Sequence, residues 1–98
     1  MTIRFQKRVQ MDVNDALDFY REKSLEVAAR FWAELQKALL RIKKDPTAFG
    51  YLGKSSFRRI HLTRFPYVVV YKTYTDCVRV FVIRHEKRNP GFGLKRRF

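Results

Sequence analysis

The sequence predicts an α+β domain: an N-terminal strand, a helical hairpin, then a three-stranded antiparallel meander, with the helices packed on one face of a four-stranded sheet. Three observations predict it. Residues 12–44 carry apolar side chains at helical spacing in two stretches broken only at Ser24. Residues 57–85 divide into three runs rich in β-branched and aromatic residues, separated by short turn-forming segments. The length of 98 residues suits one domain spanning 1–98, and the 46% apolar content, with nine Phe and five Tyr, is enough to build a core.

Residues Thr2 to Val9 alternate Ile3, Phe5 and Lys7 with Arg4, Gln6 and Arg8, the pattern of a half-buried strand whose charges suit a sheet edge. Asp12 is placed to cap the first helix, with Asp15 in its first turn. Val13, Ala16, Leu17 and Tyr20 then recur on one face up to about Lys23. Ser24 reads as the N-cap of a second helix whose apolar stripe is Val27, Ala28, Phe31, Leu35, Ala38, Leu39 and Ile42. Leu25, Ala29 and Trp32 form a partial second stripe expected against the first helix, with Trp32 in the core beside Phe31. Lys43 and Lys44 complement the helix dipole as a solvated helix end, and Asp45-Pro46 stops the helix. Thr47 to Ser56 has no period and reads as a loop, with Phe49, Tyr51 and Leu52 folded back. Strands are expected at Phe57 to Thr63, Tyr67 to Tyr74 and Cys77 to His85, joined as successive hairpins.

The charge is large and uneven. The chain holds 22 Lys and Arg against 9 Asp and Glu, a formal net charge of +13. Residues 54–98 carry twelve of the basic side chains and only two acidic ones. Such a field favours nucleic acid, an anionic surface or an acidic protein partner without choosing among them. The single Cys77 excludes an internal disulfide and suits a reducing compartment, where a small buried thiol is its default role. The sequence has no apolar run of membrane-spanning length and no N-terminal export segment, so a cytoplasmic location without membrane attachment is expected.

The candidate site follows from the meander. With Ile60 and Leu62 turned to the helices, Arg59 and His61 stand on the opposite, open face. The last strand, VRVFVIRH, delivers its end to a basic, proline-broken tail, EKRNPGFGLKRRF, a plausible way to hold cations against phosphate. Lys54, Arg58, Arg59, Arg84, Lys87 and Arg88 are therefore the candidates for binding nucleic acid or another target. His85 sits at the strand end among cations, where an imidazole can act as a base or simply hydrogen-bond the turn. Two His and one Cys without close spacing make no metal site, and no Gly-rich phosphate loop precedes either helix. Ser55 and Ser56 have no partner base. No cofactor is expected.

The element order, the length, the charge and three patterns, FRRIHL, RFPYVVVY and VRVFVIRH followed by EKRNP, resemble the RelE/ParE superfamily of toxins from bacterial type II toxin-antitoxin, or plasmid stabilisation, systems. The resemblance covers nearly the whole chain. It implies a small basic toxin, neutralised by an acidic antitoxin that wraps it, and it leaves two mechanisms open. RelE-like members are ribosome-dependent endoribonucleases that cut messenger RNA; ParE-like members inhibit DNA gyrase by binding. Laid on the RelE pattern, Arg59, His61 and Arg88 fall on basic catalytic positions, with His85 as a further acid or base. Two positions depart: Val68 stands where that pattern carries an arginine, and Leu94 where it carries a tyrosine. The departures favour ParE-like inhibition, with the ribosome-dependent nuclease as the alternative. A third reading is a degenerate toxin, a basic module that binds RNA or protein without catalysis.

Overall fold

The structure, a computed structural model, describes residues 1–98. Its elements are β1 (Thr2–Phe5), α1 (Val9–Lys23), α2 (Leu25–Lys44), β2 (Arg58–His61), β3 (Tyr67–Thr73) and β4 (Cys77–His85). This is the expected β-α-α-β-β-β order. The strands form one sheet in the order β1-β4-β3-β2. β1 lies parallel to β4 at one edge, and the other pairs are antiparallel. No helix is long and apolar enough to cross a membrane.

Two differences from the sequence expectation fall at the N-terminus. β1 ends at Phe5 rather than continuing to Val9, because Gln6 is buried and turns the chain. Its carbonyl accepts from Val9 N at 2.9 Å and its Oε1 accepts from Arg8 N at 2.7 Å. Those two bonds satisfy amide groups at the start of α1, so the helix begins with no capping side chain at Arg8. Asp12 is therefore not the cap. It lies one turn inside α1 and bonds elsewhere.

The hairpin of α1 and α2 turns on Ser24 alone. Its N–H donates to Tyr20 O at 2.9 Å, closing α1, and its hydroxyl accepts from Val27 N at 2.9 Å, opening α2. Ala28, Phe31, Leu35, Ala38 and Ile42 are the buried face of α2. They pack with Val13, Ala16 and Tyr20 of α1 onto Ile60, Val69, Tyr71, Val78 and Val80 of the sheet. Tyr20, Phe31, Phe65 and Tyr67 form an aromatic knot at one end, with ring centroids 5.1–6.1 Å apart. Trp32 is not in this core. It sits roughly 100° around the helix from Phe31 and is 48% exposed, and Leu25 beside the hairpin turn is 77% exposed. The second stripe of α2 thus faces solvent, not α1.

A smaller apolar cluster occupies the sheet's other face: Phe57, Val68, Val70, Phe81 and Val82. A bulge creates part of it. Val70 pairs with Val82 and Tyr71 with Val80, so Phe81 is the extra residue and lies on the same side as Val82. Leu52 from the loop and Phe92 and Leu94 from the C-terminal tail close over this cluster. The tail is held in three ways. Arg96 forms a double-bonded ion pair with Asp12, Nη1 to Oδ2 at 2.7 Å and Nη2 to Oδ1 at 2.9 Å, and also donates to Phe81 O at 3.0 Å. Gln6 Nε2 donates to Arg97 O at 3.0 Å. Gly93, at φ +84°, lies so close to Val82 that a Cβ there would come within 2.5 Å of the valine Cβ.

Candidate functional site

The meander separates the sequence-predicted residues onto two faces. Arg59 pairs with Val70, and His61 with Val68, which in turn pairs with Arg84. Since Val68 and Val70 belong to the smaller cluster, Arg59, His61 and Arg84 share the face away from the helices. His85 pairs with Tyr67, whose ring belongs to the helix-side core, so His85 is turned to the opposite face. There its ring meets Tyr67 edge-on at 5.3 Å and its Nδ1 accepts from Lys87 N at 3.0 Å. His85 is therefore a turn-forming residue that cannot act on the same substrate atom as His61.

Arg58 also leaves the open face. It pairs with Tyr71 on the helix side, donates to Phe49 O at 2.7 Å and to the Tyr51 hydroxyl at 2.9 Å, and lies 4.1 Å from the Tyr51 ring centroid. Its job here is to hold the loop that precedes β2. Lys54 is exposed within that loop.

On the open face, His61 Nδ1 lies 2.7 Å from Glu86 Oε2, which leaves Nε2 as the free ring nitrogen. Arg84 is buried beneath and donates to the carbonyls of Arg88 and Asn89 at 3.3 and 3.2 Å, so it shapes the turn that presents Lys87 and Arg88. Burial lowers the pKa of Arg84 from the usual arginine value, and the neighbouring Arg59 charge lowers it further. Its Nε has no partner. The guanidinium of Arg88 stacks 4.2 Å from the Phe92 ring centroid, which ties the exposed cation to the tail. The site is thus a rim of cations, Arg59, Lys87 and Arg88, with a His–Glu pair, around an apolar floor of Val68. Such a rim can hold an anionic surface.

Sequence reasoning missed Glu86 as the partner of His61. The signal was present in the topology: in an antiparallel meander the ends of the first and third strands lie at the same end of the sheet. It also missed the Asp12–Arg96 pair, 84 residues apart, for which no local pattern exists.

A helical hairpin on one face of a four-stranded sheet, with a basic opposite face, is the architecture of a solved chain from the chromosomal ParDE TA system of P. aeruginosa. The two superpose with a TM-score of 0.76 over 87% of this chain and 95% of that one, at 14% identity, a likeness of fold. In sequence, residues 3–90 match the model of the ParE toxin of the type II toxin-antitoxin system, parDE, and the chain belongs to that family. It is also 29% identical over 90 residues to Toxin ParE2 of Mycobacterium tuberculosis, from strains CDC 1551 / Oshkosh and H37Rv, covering 91% of this chain and 85% of that protein. The fold and family expected from the sequence hold, and the tail that closes the second face lies outside residues 3–90.

Proposed function

We propose that this chain is the toxin of a type II pair, that an acidic antitoxin neutralises it, and that the free toxin acts by binding DNA gyrase. The single observation that supports gyrase inhibition is the floor of the open face. Cutting RNA by 2′-hydroxyl attack needs groups that move protons and cations that meet the crowded phosphorane. Here the centre of the face is Val68, 3% exposed, with Leu94 packed on the same cluster. Those are the two positions at which a RelE-like pattern carries arginine and tyrosine. In this reading Lys54, Arg59, Lys87 and Arg88 engage the target by charge, and the +13 balance is what an acidic antitoxin complements. The test is supercoiling of relaxed plasmid by purified gyrase with the chain added. Loss of supercoiling at modest molar excess is expected; full supercoiling at any excess would sink the reading.

One observation favours a second reading. The Glu86 carboxylate orients the His61 imidazole beside Arg59, the arrangement a general base requires, and this supports a ribosome-dependent endoribonuclease. That reading expects cleavage of translated message to disappear in His61→Ala and to weaken in Glu86→Gln.

A further inference from the structure

Two concavities that the open face does not use run into one another along the sheet edge. The first is an apolar groove between β1 and α2, lined by Phe5, Trp32, Leu35 and Leu39. It continues past Met1 and Leu40 at its far end. The second is a cleft between the start of α1 and the C-terminal tail, and it shares Phe5, Gln6 and Lys7 with the groove. Five cations line this cleft against two carboxylates. Asp12 is already spent on Arg96, while Lys7, Arg8, Lys95 and Arg97 form no ion pair. β1 itself pairs only with β4, so the backbone groups of its outer edge have no strand partner.

We propose that this continuous surface takes an extended, acidic, amphipathic segment of a partner protein, lying along the free edge of β1. Its apolar side chains would fill the Phe5–Trp32–Leu39 groove and its carboxylates would meet Lys7, Arg8, Lys95 and Arg97. Three features select a peptide over a nucleic acid strand. An unpaired strand edge offers backbone hydrogen bonds that only another polypeptide can complete. The groove is walled largely by aliphatic side chains, which grip leucine-like groups and stack poorly on bases. The cations are confined to one end of the surface, which fits a segment apolar at one end and acidic at the other; a phosphate backbone is charged along its whole length. The surface deepens the neutralisation proposed above, and rests on it only for the occupant's identity as an antitoxin.

The chain reports on its own occupancy, because its one tryptophan, Trp32, lies half-exposed in the groove. The probe is a synthetic peptide with a Leu-rich half and a Glu-rich half, titrated into the intact chain. The expected result is a saturable blue shift of Trp32 emission, weakened as salt rises. Lys95→Glu and Arg97→Glu should each lower the affinity by about threefold or more. Lys44→Glu, an equal charge change at the exposed end of α2, should change it less than about twofold. Polyglutamate, which has no apolar half, should leave the emission unshifted. The proposal is overturned by an unshifted Trp32 at saturating peptide or by equal effects of Lys44→Glu and Lys95→Glu. It is also overturned if a single-stranded oligonucleotide shifts Trp32 at lower concentration than the peptide and loses affinity with Arg97→Glu. Absence of toxicity would refute the toxin reading and leave this titration untouched, so the two failures are distinguishable.

Discussion

Removing the carboxylate of Asp12 should release the C-terminal tail. The Asp12 and Arg96 side chains are only 7% and 11% exposed, so their charges meet with little screening by water. Asp12 Oδ2 also accepts from Ile83 N at 3.1 Å, which joins α1, β4 and the tail at one carboxylate. Asp12→Ala leaves a nearly buried guanidinium without its counter-charge and an amide without its acceptor. Breaking one side of such a pair costs about 3 kcal/mol or more. Arg96→Ala should cost less, about 2 kcal/mol, because Asp12 keeps the Ile83 amide. In the double variant the costs should fall short of additivity by about 1.5 kcal/mol. Urea unfolding followed by circular dichroism measures all three. For a small domain with a slope of about 1.5 kcal/mol per molar, Asp12→Ala should lower the midpoint by about 2 M. A hydrophobic dye should bind both variants, as Phe81 and Val82 lose their cover. Single costs below about 1 kcal/mol with strict additivity would refute the latch.

Other outcomes are expected from the same structure. Gly93→Ala places a Cβ against Val82 at a φ of +84° and should cost about 2–4 kcal/mol, read as a large fall in Tm. Ser24→Ala removes the cap of α2 and should cost about 1 kcal/mol in chemical denaturation, with the element order retained. Burial pushes the Tyr71 phenol up to about 12, with the Arg58 charge lowering it and Asp45 raising it. Because the folded value lies above the unfolded one, the folded state holds this proton more tightly; stability is intact below about pH 10 and falls as pH rises toward 12. Tyr71→Phe loses the 2.7 Å bond to Pro46 O, costing about 1 kcal/mol at neutral pH, and should show a shallower alkaline decline than the parent.

The elements were legible because their periods are local. The stripe from Ala28 to Ile42, the cap at Ser24 and the alternation around Ile60 each follow from neighbours within a few residues. The face assignment of Arg59 and His61 was legible for the same reason, since a period of two needs only one anchored residue. Three features were not. Trp32 reads as core by composition, but its place on α2 is set by which neighbouring stripe the sheet accepts. Arg58 and His85 are basic residues adjacent to candidate positions, and one step along a strand moves a side chain to the other face. The tail looks like solvated charge in sequence, yet Arg96, Gly93 and Leu94 each fit a partner from a distant element. Those contacts close the second face, and they depend on tertiary geometry that no local pattern encodes.

The central claim is that a face floored by Val68 and closed by the tail acts by binding and not by cutting RNA. Its most direct test is a cell-free translation reaction on a defined message, with the purified chain added and new 5′ ends mapped by primer extension. Intact message is expected. Cuts that appear only on translated message, and vanish with His61→Ala, would contradict the account and assign the His61–Glu86 pair a catalytic role.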